Sequence, residues 1–173
     1  NDTFPQPGWL EALLDTFGTR PDTGLVGAQL VYPDGRLQEA GGVVFDDGSA
    51  WNYGRFESPE DPRYASLREV DYCSGAAIMV STALFRDLGG FDARYAPAYY
   101  EDTDLAFAVR ARGLRVLYQP AARVVHLEGI TAGTDTGSGI KAYQIRNRGL
   151  FARKWAEALI GQPAAGTLPS PST

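Results

Sequence analysis

Hydrophobic positions change period along this chain, and the changes divide it into alternating elements. Pro7-Gly8 leads into Trp9, Leu10, Leu13, Leu14 and Phe17, a helical spacing that stops near Gly18. Gly24 to Tyr32 is an apolar run of strand length, Pro33-Asp34-Gly35 is a turn, and a second strand is expected across Gly41 to Phe45 before a turn at Asp46-Asp47-Gly48. Residues 51–68 carry Pro59, Pro62 and many charges and predict a long loop, a feature that is often functional in compact domains. Val70 to Val80 reads as a strand, with Ser81 the N-cap of a short helix that ends at Gly89-Gly90. A helix over Thr103 to Arg112 closed by Gly113 follows. Two short strands at Leu114 to Tyr118 and Arg123 to His126, split by Pro120, precede a long helix from Gly139 to Leu159. Strands alternating with helices predict an α/β fold, a mixed sheet with flanking helices, and no internal repeat is visible.

Composition narrows the classes. At 173 residues, 44% hydrophobic and 21% charged, the chain can bury one globular core. Sixteen Lys and Arg spread through a net charge of −5 leave no basic face, so no nucleic-acid partner is expected. No apolar run approaches the roughly 20 residues that cross a bilayer. A single cysteine, Cys73, and a single histidine, His126, exclude an internal disulfide framework and the usual Cys/His zinc cages. Any bound metal must lean on carboxylates plus at most one imidazole, a set that suits Mg²⁺ or Mn²⁺ carrying phosphate oxygens. The chain opens on Asn1-Asp2-Thr3 and closes on a Pro/Gly/Ser/Thr stretch from Gly161 to Thr173. Residues 1–160 are expected to be the domain and 161–173 a flexible linker, with more protein upstream.

The candidate chemistry centres on Tyr99-Tyr100-Glu101-Asp102-Thr103-Asp104, followed twenty-four residues after Asp102 by His126. Acids in the first turn of a helix are stabilised by its dipole by a few tenths of a kcal/mol, so capping alone would account for them. Three carboxylates within four positions nevertheless repel one another more than a cap requires, and Tyr95 to Tyr100 is an aromatic, proline-containing run of the kind that lines a cleft. Crowding of this sort raises the pKa of at least one member, as a general base requires. His126 reads either as a hydrogen-bonded strand-end residue or as a ligand. Asp135-Thr136-Gly137-Ser138 copies an aspartic-protease string, but only once where those enzymes use two, and no Gly-x-Ser-x-Gly elbow supports a serine hydrolase.

Taken together, Asn1-Asp2-Thr3, Pro7-Gly8-Trp9-Leu10, Cys73-Ser74-Gly75-Ala76, Gly89-Gly90-Phe91-Asp92, Glu101-Asp102-Thr103-Asp104-Leu105 and His126-Leu127-Glu128-Gly129 resemble the second half of an inverting family 2 glycosyltransferase of GT-A fold, rhamnosyltransferase-like and bacterial. The resemblance covers about residues 1–160. It implies that Asp2 is the last acid of an Asp-x-Asp metal motif with Asn1 its middle residue, and that His126 is the later ligand of a divalent cation, Mn²⁺ or Mg²⁺. It makes Asp102 the catalytic base, with Glu101 beside it placing the acceptor hydroxyl. Ser74 and Gly75 would lie under the donor sugar, Gly129 to Gly139 would fold over the donor, and Lys141, Tyr143 and Arg146 would stand at the start of the helix behind it, Arg146 reading either as a phosphate contact or, the favoured alternative, as an exposed helical arginine. The implied partners are a nucleotide-diphosphate sugar donor, a saccharide or lipid-linked saccharide acceptor, and the missing N-terminal half of the same domain. A cytoplasmic location is implied, peripheral to the inner membrane only through other parts of the protein. The family's first half is absent, so the fragment alone is expected to be inactive, and the alternative is a non-catalytic half-domain that binds saccharide or a partner. Gln144-Ile-Arg-Asn-Arg148 only approximates the processive members' Gln-x-x-Arg-Trp, which favours transfer of one residue at a time.

Overall fold

The computed structural model describes residues 2–127 and 142–167. Its centre is a parallel pair, β2 (Thr23–Val31) and β8 (Arg115–His126). Every residue of β2 is buried, as its unbroken apolar run requires of a central parallel strand. Outside β8 lie two short antiparallel strands, β1 (Thr3–Pro5) and β6 (Arg68–Glu69). Outside β2 lie β3 (Leu37–Glu39) and β7 (Ile78–Val80), also antiparallel. A separate hairpin joins β4 (Gly42–Val44) and β5 (Ala50–Asn52).

Side-chain alternation along the central strands assigns one set of residues to each face of the sheet. Val26 and Leu117 meet Leu13 of α1 (Trp9–Thr19) on one side. Leu25 and Val116 meet, on the other, Leu105 and Val109 of α3 (Glu101–Arg110) and Phe151 of α4 (Ala142–Lys154). The result is a mixed sheet with helices on both faces, completed by α2 (Thr82–Asp87) and α5 (Ala156–Leu159). Gly27 in β2 is required sterically, because a Cβ there would lie 2.2 Å from the Cβ of buried Cys73.

The expected α/β class therefore holds, while several boundaries differ. The two strands expected around Pro120 are one: Ala28 pairs with Gln119 and Gln29 with Arg123, so Pro120 to Ala122 bulge out and the missing N–H costs no ladder bond. Of the expected Val70–Val80 strand Ile78–Val80 pairs in the main sheet, and a turn precedes it in which the Ala77 amide donates to the Ser74 carbonyl at 3.2 Å. The run expected across Gly41 to Phe45 forms β4, which leaves the main sheet, and β3 precedes it where polar Gln38 and Glu39 mask a buried strand. The acidic helix begins two residues early, at Glu101. The last helix breaks at Trp155 into α4 and α5, and residues 139–141 of the expected element lie outside the described residues. Within loop 51–68 the chain makes a 3₁₀ turn at Pro62–Tyr64. Ser81 caps α2 as expected, accepting from the Leu84 amide at 3.2 Å. Of the tail, residues 161–167 are described, and the Pro163 carbonyl accepts from the Asp46 amide at 3.0 Å. Among the described residues no helix is long and apolar enough to cross a membrane.

Candidate active site

Pairing of β1 with β8 sets Thr3 opposite His126, and the Leu127 amide donates to the Asp2 carbonyl at 2.8 Å. That register brings Asp2 Oδ2 to 3.6 Å from His126 Nε2. The other ring nitrogen, Nδ1, lies 2.7 Å from Oε1 of buried Gln38 on β3. An amide oxygen only accepts, so Nδ1 carries the hydrogen of this contact, and Nε2 is the ring nitrogen that faces Asp2. Among the described residues no group of three His, Cys, Asp or Glu side chains could hold a metal ion, so Asp2 and His126 offer two ligands and no more.

The neighbour of Gln38 continues the line of contacts. Glu39, 1% exposed, accepts the Ser74 amide on Oε1 at 2.8 Å, and the next amide, that of Gly75, donates to Asp102 Oδ2 at 2.9 Å. Ser74 Oγ accepts from the Ala76 amide at 3.4 Å, closing the turn that presents these amides. A Cβ at Gly75 would lie 3.4 Å from the Asp102 Cβ, which is ordinary contact and leaves no spare room between them. The other Asp102 oxygen, Oδ1, accepts the Thr103 amide at 2.7 Å and its hydroxyl at 3.2 Å. Both oxygens are thus oriented, one from the helix itself and one from the turn after Cys73.

The three acids of the motif occupy different surroundings. Glu101 Oε2 is buried with no hydrogen-bond partner, and burial, then the charge of Asp102, raises its pKa to about 6. Asp104, 4% exposed, accepts from the Tyr95 hydroxyl at 2.9 Å, the Trp155 indole at 2.7 Å and Lys154 Nζ at 2.8 Å. Lys154 also reaches Asp92 at 3.0 Å. Partial burial works against the Asp92 charge, yet bonds from the Arg94 amide and Lys154 hold its pKa at about 2.

The structure thus brings Asp2 together with His126, and Ser74 and Gly75 together with Asp102, through adjacent residues of β3. Arg146 stands apart: it is exposed on α4, donates to the Ala96 carbonyl at 3.2 Å and lies over the Tyr143 ring. Asn1, the Gly129 to Gly139 segment, the Asp135 to Ser138 string and Lys141 lie outside the described residues. Sequence reasoning missed Gln38 and Glu39, whose signal was a polar pair at a strand position after a Pro-Asp-Gly turn. It also missed Asn147 of α4, which is 0% exposed and donates to three carbonyls just ahead of Glu101.

No protein-family model matches the chain. An O-antigen biosynthesis protein of Myxococcus xanthus, RfbC, is 30% identical over 135 residues, 75% of this chain and 10% of that protein. An N-acetylglucosaminyl-diphospho-decaprenol L-rhamnosyltransferase of Mycobacterium tuberculosis is 30% identical over 148 residues, 79% of this chain and 48% of that protein. The chain spans less than half the length of these relatives. Among solved structures, that of GalNAc-T7 with UDP, GalNAc and Mn²⁺ superposes with a TM-score of 0.62 at 15% identity, over 91% of this chain and 31% of that one. At that identity the likeness establishes a shared fold.

Proposed function

From a chain that is a GT-A-fold, rhamnosyltransferase-like relative of the family 2 glycosyltransferases, we infer that it forms the acceptor and metal half of an inverting sugar-transfer site. The donor is a nucleotide-diphosphate sugar. The acceptor is a saccharide or lipid-linked saccharide hydroxyl in glycan assembly, a class carried over from the name of the Mycobacterium relative. The grip on the nucleotide belongs to further chain outside these residues. The observation that carries this reading is the continuous run of contacts from Asp2 and His126, through Gln38 and Glu39, to Ser74, Gly75 and Asp102. It links the two ligands to the proposed base through two adjacent strand residues.

Asp2 and His126 fit a divalent cation of the Mg²⁺ or Mn²⁺ type. Asp2 Oδ2 and His126 Nε2, 3.6 Å apart, would be the two protein donors that hold it, a carboxylate oxygen and an imidazole nitrogen. Such a cation, when bound, neutralises the charge that develops on the departing diphosphate. The Ser74–Gly75 turn puts small side chains where a hydroxylated ring approaches the backbone. Asp102, fixed through both oxygens, takes the proton of the acceptor hydroxyl as that oxygen attacks the anomeric carbon, a contribution of roughly 10²–10⁴-fold for a positioned base. One displacement inverts the centre, and no nucleophilic carboxylate is called for.

The test is Asp102→Asn in the full-length protein, with donor binding followed by calorimetry and nucleoside-diphosphate release by a coupled assay. Donor affinity is expected to stay within twofold while transfer falls at least about 100-fold. Turnover near that of the unmodified protein would remove Asp102 from the role of base.

A further inference from the structure

Tyr99 and Tyr100, immediately before the acidic pair, have φ angles of 74° and 73°. Two consecutive left-handed residues with side chains are disfavoured and need an outside hold. The angle φ sets a residue against the peptide plane that precedes it, so the planes of the 98–99 and 99–100 peptides decide the two torsions. The carbonyls of those two peptides, from Ala98 and Tyr99, accept from Nδ2 of Asn147 at 2.9 and 3.0 Å. A third bond of 2.7 Å reaches the Tyr95 carbonyl. One fully buried amide therefore holds both strained torsions. Tyr100 is the N-cap of α3 and gives it no side-chain cap, its hydroxyl going instead to the Gly48 carbonyl at 3.0 Å. The direction in which α3 starts, and with it the direction of Asp102, then follows from the turn that Asn147 holds. α4 is itself tied to α3 a turn and two turns later, by Phe151 against the Phe107 ring and by Lys154 on Asp104.

We propose that Asn147 is a positioning residue, which locks the left-handed Tyr99–Tyr100 turn through the Ala98 and Tyr99 carbonyls and so aims Asp102 at the Gly75 amide. Its consequence for transfer rests on the reading of Asp102 as base; its hold on the turn does not. Asn147→Ala in the full-length protein is expected to lower kcat at least 10-fold with the donor KM within twofold. Hydrogen exchange at the Gly75 amide, which Asp102 otherwise protects, should accelerate several-fold. Leu13→Ala, a core truncation in α1 on the opposite face of the sheet, serves as the control for lost stability and should change neither value. Should Asn147→Ala fail to fold, Asn147→Ser, which keeps one donor, is expected to show both effects at smaller size. Unchanged kcat and unchanged Gly75 exchange in the folded variant would overturn the proposal, as would equal effects from Leu13→Ala. If the unmodified protein transfers no sugar, the sugar-transfer reading is what fails, and Gly75 exchange alone still decides the role of Asn147.

Discussion

Replacing Asp104 with alanine should cost stability that replacing Asp102 with asparagine does not. Asp104 is buried, and its two oxygens take the Tyr95 hydroxyl, the Trp155 indole and the Lys154 ammonium. Hydrogen bonds to a charged group contribute about 1.5–3 kcal/mol each, but the three share one carboxylate and do not add in full. Lys154 keeps Asp92 at 3.0 Å, so its charge is not stranded. Among the described residues the Tyr95 hydroxyl and Trp155 N–H donate to Asp104 alone, and each loses about 1–3 kcal/mol if left dry. The two together come to about 2–6 kcal/mol, centred on the roughly 3–5 kcal/mol found when one partner of a buried pair is removed. Asp102 is held by the Thr103 amide and hydroxyl and by the Gly75 amide at a half-buried site, and an asparagine oxygen can keep one side of this, so Asp102→Asn should cost under about 1 kcal/mol. Urea unfolding followed by tryptophan fluorescence reads both: at a slope of about 2 kcal/mol per molar, the midpoint should fall by roughly 2 M for Asp104→Ala and by less than about 0.5 M for Asp102→Asn. A loss below about 1 kcal/mol for Asp104→Ala, or equal losses for the two, would refute the division of labour between these acids.

Two further changes test the groups around the site. Gln38→Leu removes the oxygen that accepts from His126 Nδ1 and orients the ring, and Mn²⁺ affinity by calorimetry should drop about 10-fold; an unaltered affinity would detach Gln38 from the proposed metal site. Glu101 has a folded pKa of about 6 against an ordinary 4.5, so the folded state binds its proton more tightly and stability declines as pH rises from about 4.5 through 6. Glu101→Gln removes that decline: its Tm should exceed that of the unmodified protein above pH 6 and lose the advantage below 4.5, and a gap that is the same at both ends contradicts the assignment.

What could be read from the sequence, and what could not, follows from the range of the interactions. The β2 run and the Ser81 cap are local signals, and both held. Pro120 misled because a proline stops a ladder only where its N–H is needed, and a bulge between Gln119 and Arg123 removes that need. β3 was missed because Gln38 and Glu39 read as surface residues, yet each is buried against a polar partner from a distant segment, His126 and Ser74. The Asp2–His126 encounter is set by an antiparallel register across more than a hundred residues, which no local pattern encodes. Asn147 gave no sign at all, because an asparagine on a helix looks solvated until the carbonyls it serves are known.

The acid cluster shows how helix geometry changes an argument made from spacing alone. Three carboxylates in four positions were read as mutually repelling, but at about 100° per residue Asp102 and Asp104 lie on nearly opposite sides of α3. Asp104 turns toward α4, where Lys154 neutralises it, and so leaves the cluster. Asp102 turns toward the Gly75 amide, and of the other two acids in the motif it is Glu101 whose pKa its charge raises. The raised pKa that crowding predicts is found there, with burial as its larger cause and Asp102 as its second. Repulsion is thus confined to the pair Glu101 and Asp102, while Asp104 anchors the helix on which they are carried. A turn held by Asn147 on one side and a helix anchored by Asp104 on the other leave Asp102 little freedom to turn, which is the condition a general base must meet before its basicity counts.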